Sequence, residues 1–447
     1  LLAAFAAATG NAAASPPQRQ LLERSPDIGA YSLAANAGGD RVVAVPNQYA
    51  RRLDIFTAAP GGPFGAATRL TEPGEPIFDL VAAVAPDATT VVLGEPQTRT
   101  GTVAGGVVAI ERPPGGQFGA PQTLTRAGAD EPAVAFDRGG NAIAVWIRNG
   151  RRGYTDFVEQ STRPAGGDWS APAVISREPR GADSAQVAFD AAGDATAVWG
   201  RERSPVDAQP ARRRRKTFNA EIVAATRPAG GSFGPAQVVS DPRFDTDEAV
   251  LSVNAAGGAA LVWVLNTKGD AHFRVGGAFR DPGQPFGPPR FFTPTRADAT
   301  AASVFLDDSG RSLFTWRLPF DRPNREFSGF AIDATVMPPG GTLAPSRRLS
   351  GTRADFSQLA ITPAGDGVVS WIYNGSYSDL VQARRATTEG KFGPLLQISP
   401  RGTVDVLSTT IDDRGAVTFV WFRGSGLKLR LETATLPARR TGAAPPG

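Results

Sequence analysis

The chain has 447 residues, 41% of them apolar, with Gly 51 and Pro 38. That apolar share can bury a core, which excludes a disordered chain, and there is no Gly-X-Y period to suggest collagen. Cys is absent and His occurs once, at His272, so composition excludes a disulfide framework, a thiolate nucleophile and a multi-histidine metal site. The formal net charge is +4, and Lys216, Lys268, Lys391 and Lys428 are its only lysines. The basic excess is therefore arginine. With abundant Ala, Gly and Pro it follows from GC-rich codon usage and argues only weakly for an anionic partner.

The first residues, LLAAFAAATGNAAASPP, read as the tail of a secretory signal over residues 1–14, with Ala12-Ala13-Ala14 as a cleavage site. An exported, extracellular location is expected. The stretch is shorter than the roughly 20 apolar residues that cross a bilayer, and no later run reaches that length. Residues 438–447 read as a flexible tail, which leaves 15–437 as one domain.

That domain is repetitive. Val134–Trp146 (VAFDRGGNAIAVW) and Val187–Trp199 (VAFDAAGDATAVW) share an alternating strand, an Asp-x-x-Gly turn and a second strand ending in Trp. The unit recurs at Leu251–Trp263, Val304–Trp316, Leu359–Trp371 and Thr409–Trp421, each with Gly six residues before Trp. Two degenerate copies precede these, with Gly39 before Val45 and Asp87 before Leu93. Spacings between equivalent positions are 48, 53, 53, 64, 53, 55 and 50 residues. Each unit continues through a third strand, a Pro-Gly-Gly-x-Phe-Gly turn such as Pro60–Gly65 or Pro114–Gly119, and a short fourth strand ending in Ser or Thr. Period-2 alternation between Gly, Pro and Asp turns is a strand signal, and antiparallel four-stranded units of about 50 residues are the blades of a β-propeller.

The expected fold is all-β, a single propeller of eight four-stranded blades; the count falls to seven if the degenerate second unit is not a separate blade. The eighth unit lacks a fourth strand, and Pro17–Ser25 is the spare segment that would complete it and close the ring. The six tryptophans in register are expected in the core between blades.

Over about residues 17 to 437 the chain resembles secreted bacterial β-propeller repeat proteins. It is distantly similar to Asp-box propellers, but their three-residue Gly-to-Trp interval is six here, as in Gly193–Trp199. It also resembles integrin-type Phe-Gly repeats, without their Asp-x-Asp-x-Asp-Gly calcium loop. Both likenesses are architectural and carry over no site residue. Asp137, Asp190, Asp307, Asp308, Asp412 and Asp413 on the first turns read as Asx-turn formers rather than calcium ligands.

Binding residues of a propeller gather where second-to-third-strand loops and blade connections open. The longest such loop is Arg201–Phe218, centred on Arg212, Arg213, Arg214, Arg215 and Lys216. Arg51, Arg52, Arg151, Arg152 and Tyr154 fall on the same predicted face, with Arg148, Arg322, Arg325 and Arg423. Arginine forks suit carboxylate, sulfate and phosphate. The expectation is a non-catalytic, monomeric binding or scaffold propeller that takes an anionic polysaccharide, a cell-wall polymer or a protein on this basic face, with no cofactor, no metal and no sequence-specific nucleic acid. The alternative is a carboxylate-dependent polysaccharide hydrolase or lyase. Glu202, Asp207, Asp270 and Glu326 would be its candidates, though no spacing singles out a pair. His272 has no partner in sequence, and the Trp371–Tyr377 loop could stack a sugar or be an ordinary turn.

Overall fold

The computed structural model describes residues 17–24, 30–47, 52–71, 77–96, 105–126, 128–149, 156–176, 181–203, 220–267, 272–321, 327–376, 378–425 and 428–438. Its thirty-two strands form eight four-stranded antiparallel sheets. Seven sheets are runs of four consecutive strands, and in the eighth Gln18–Arg24 pairs with Arg430–Leu436. The first strands of neighbouring blades touch around the ring, blade one against blade eight included. The fold is thus an eight-bladed β-propeller closed by its N-terminal strand, as the repeats predict.

Blades are held to one another by apolar residues from the second strands. Trp199 of blade four packs against Ile143, Val145 and Ile147 of blade three. Trp146, Trp263, Trp316, Trp371 and Trp421 each face the preceding blade in the same way. None of the six is more than 2% exposed, so they fill the wedge between sheets rather than a ligand site. Blade two departs from the expected register. Ala88, at φ 71°, takes the left-handed turn position that glycine holds elsewhere, which puts Gly94 rather than Leu93 at the tryptophan position. The Asp-x-x-Gly signature is too degenerate there to fix its own phase.

The turns follow the sequence pattern atom by atom. Asp137 Oδ1 accepts Asn141 N–H at 2.8 Å, and Asp190, Asp307 and Asp412 make the same four-residue contact. Gly140, Gly193, Gly310 and Gly415 stand beside them at φ 80–86°. These are Asx turns, in which the carboxylate is occupied by backbone. In six blades the Ser or Thr that ends the fourth strand is structural as well. Thr71, Ser176, Ser240, Thr293, Ser350 and Ser399 each accept a third-strand N–H at 2.8–2.9 Å. The hydroxyl takes up a donor that a short outer strand leaves open.

Candidate functional site at the channel mouth

The first strands line a central channel whose two ends differ. Around the Asx-turn end, small and apolar residues dominate: Ala34, Ala35, Ala82, Ala83, Phe136 and Thr410 border a cavity of about 430 Å³. At the other end each first strand begins, and in blades two to eight it carries a bulge. One residue per bulge has a left-handed backbone: Asp79, Glu131, Ser184, Glu248, Ala301, Phe356 and Val406, at φ 44–53°. None is glycine, so seven blades hold a strained residue at one level of the channel mouth.

A bulge frees a backbone N–H that the ladder no longer uses, and nearby carboxylates take it. Glu131 Oε2 accepts Ser184 N–H at 2.6 Å and Glu248 Oε2 accepts Ala301 N–H at 3.2 Å, each from the next blade. Asp247, Asp355 and Asp405 accept the N–H of Glu248, Phe356 and Val406, at 2.8–2.9 Å. Glu95, at the end of the second strand of blade two, accepts the Glu131 amide.

Blades two to five have more carboxylates than their bulges need. Asp79, Asp130, Glu131, Asp183, Asp247 and Glu248 lie along one arc with Glu95 behind them. Among the described residues none of the seven makes an ion pair within 4 Å. Their acidities respond. Burial, then the charges of Asp79 and Asp130, push Glu95 up to about 8, and its carboxyl shares a hydrogen bond with Asp79. Burial, then Asp247, Glu131 and Glu202, push Asp183 up to about 6. Asp130 is also raised, by burial first, while its bond from Asn149 pulls the other way. Desolvation and crowding by like charge both favour the protonated acid.

Farther from the channel the same face is charge-balanced. Arg148 meets Glu159 at 2.8 Å, Arg201 meets Glu221 at 2.5 Å and Arg423 meets Glu432 at 3.2 Å, each bridging a second and a third strand. Arg52, with Arg148 and Arg423 a member of the predicted basic face among the described residues, is held by Asp54 at 2.7 Å, with Glu23 at 3.9 Å. Arg51, Arg151, Arg152, Tyr154, Arg212 to Lys216, Arg322 and Arg325 lie outside the described residues, as do Asp207, Asp270, Glu326 and Tyr377. His272 sits at the start of a third strand with Nδ1 2.9 Å from Asp298 Oδ1. In the Trp371–Tyr377 loop, Asn374 N–H bonds Arg353 O at 2.7 Å and Arg353 reaches Ser376, the contacts of an ordinary turn.

Of the catalytic carboxylates considered from sequence, Glu202 is the one among the described residues, and it lies beside Asp183. The arc itself is missed by a motif reading, yet it has a signal. The strained residue stands nine positions before the left-handed turn residue in every blade that has the bulge, from Asp79 and Ala88 to Val406 and Gly415. Reading that column and the position before it down the repeats yields the acidic run of blades two to five.

No protein family matches the sequence, and no curated protein matches it. Among solved structures it is similar to an ulvan lyase of a new polysaccharide-lyase family, at 9% identity and TM-score 0.51, over 80% of this chain and 93% of that one. The same lyase bound to -[GlcA(1-4)Rha3S]- gives a TM-score of 0.50 at 9% identity, over 81% and 91%. A puromycin hydrolase gives 0.50 at 12% identity, over 88% of this chain and 58% of that one. At these identities the likeness is one of fold.

Proposed function

We propose that the chain is an exported binding propeller that works from the face where its first strands begin and holds an anionic polymer on its second-to-third-strand loops. One observation carries this reading. Arg52, Arg148, Arg201 and Arg423, at the ends of those loops, are paired with carboxylates of their own sheets or the adjoining outer strand, while Arg274 and Arg430 at the starts of third strands have no ion pair among the described residues. The surplus positive charge of that face therefore falls to Arg274, Arg430 and the loop residues themselves: Arg51, Arg151, Arg152 and Arg212 to Lys216, with Tyr154 as an aromatic neighbour. The apolar stretch of residues 1–14 supports export. An acidic polysaccharide or cell-wall polymer would lie around the loops and avoid the acidic channel mouth.

The test is binding to acidic polysaccharides and cell-wall polymers across a salt series, beside a variant with Arg212 to Lys216 each replaced by Ser. Binding that weakens about tenfold or more from 50 to 200 mM salt, and as much in the variant, supports the reading. Binding indifferent to both changes overturns it.

A second reading has its own observation. Asp183, raised to about 6 and bracketed by Asp247, Glu131 and Glu202, has the character of a general acid among other carboxyl groups. On this reading the channel mouth cleaves a polysaccharide. Release of sugar ends from the same panel, lost in Asp183→Asn, would favour it over binding alone.

A further inference from the structure

The seven carboxylates of blades two to five have no cationic partner among the described residues. Asp79, Glu131, Asp183 and Glu248 are exposed at the channel mouth, where a ligand can reach them. Behind them Glu95 is only 4% exposed and its Oε1 receives no hydrogen bond from an N–H or hydroxyl donor. Elsewhere on this face a buried carboxylate has its arginine, as Glu159 and Glu221 do. A buried carboxyl oxygen without a donor, facing a row of like charges, is an incomplete site.

The shape of the row selects the ligand. Each carboxylate comes from a separate blade or from adjacent bulge positions, so the charges follow an arc. Among the described residues no three acids converge closely enough to hold a metal ion. A ligand matching such an arc carries several positive charges spaced along a chain, each able to donate hydrogen bonds. Beyond Glu248 the ring continues through Ala301 and Phe356, the latter 52% exposed, which gives an aliphatic stem an apolar neighbour. We propose that the channel mouth of blades two to five binds a linear aliphatic polyamine, with ammonium groups on Asp79, Glu95, Asp130, Glu131, Asp183 and Asp247. This inference does not depend on the loop arginines and stands or falls apart from them.

The experiment titrates spermine into the full chain by calorimetry at pH 7.5 and low salt. Asp183→Asn/Asp247→Asn is run beside it; Asn keeps the oxygen that caps the Glu248 amide, so the bulge is preserved. Asp405→Asn, in the apolar arc, is the control. The expected result is saturable binding that weakens about tenfold or more in the double variant, stays within about twofold in the control, and resists an equal concentration of Mg²⁺. Absence of saturable binding overturns the proposal, as does equal weakening in control and double variant. Displacement by equimolar Mg²⁺ overturns it too, because the site would then be reading charge alone.

Discussion

The two halves of the channel mouth share one backbone and differ in charge. In blades seven and eight each bulge carries one carboxylate, Asp355 or Asp405, which caps the strained amide; Asp355 is also neutralised by Arg317 at 2.5 Å. In blades three and five both bulge positions are acidic, Asp130 with Glu131 and Asp247 with Glu248, and no described arginine answers them. The fold asks for one acceptor per bulge. Glu95, Glu131, Asp247 and Glu248 meet that demand for the bulges of blades three to six; Asp79, Asp130 and Asp183 exceed it, and they are gathered on adjacent blades two to four.

The largest expected effect comes from breaking the economical half. Asp355→Ala would strip Arg317 of its partner and leave the Phe356 amide without an acceptor, costing about 2 kcal/mol in urea unfolding. In the acidic half the sign reverses. The Glu95 carboxyl has a folded pKa of about 8 against an ordinary 4.5. Its stabilising, protonated form is fully effective below the unfolded value and is lost as pH rises through 8. Glu95→Gln keeps an acceptor for the Glu131 amide without the charge, and should raise stability by on the order of 1 kcal/mol at pH 9 and little at pH 4, read by thermal melts. Asp183→Asn follows the same logic over a lower window, between about 4 and 6. Its gain at pH 8 should be below about 1 kcal/mol, because the side chain reaches solvent. The smallest effect is expected at Phe356→Gly, which relieves φ 49° at the cost of chain entropy, a net gain of about 0.5 kcal/mol in urea unfolding.

The architecture was legible because its signal repeats. Six Gly-to-Trp intervals and a missing last strand predict eight blades and their closure, and Trp146 to Trp421 are buried as their register implies. Blade two shows the limit of that method. With Ala88 in the left-handed position, no glycine marks the turn and the phase slips by one. The acidic arc was harder to read for a different reason. Asp130-Glu131 and Asp247-Glu248 look like solvated charge in isolation, and only a bulge shared by seven blades brings them to one level. The basic loops dominate a charge count of this face, while Arg148, Arg201 and Arg423 beside them are neutralised by Glu159, Glu221 and Glu432 across strand pairs that sequence alone does not register.

The claim on which the site rests is that the channel mouth gathers carboxyls without cationic partners, a crowding that makes two of them resist ionisation. A carbon-13 NMR titration of the side-chain carboxyls from pH 3 to 10, with Glu95→Gln and Asp183→Asn for assignment, tests it directly. The account predicts two late-titrating carboxyls, Glu95 near 8 and Asp183 near 6. Complete ionisation of both by pH 5 would contradict it.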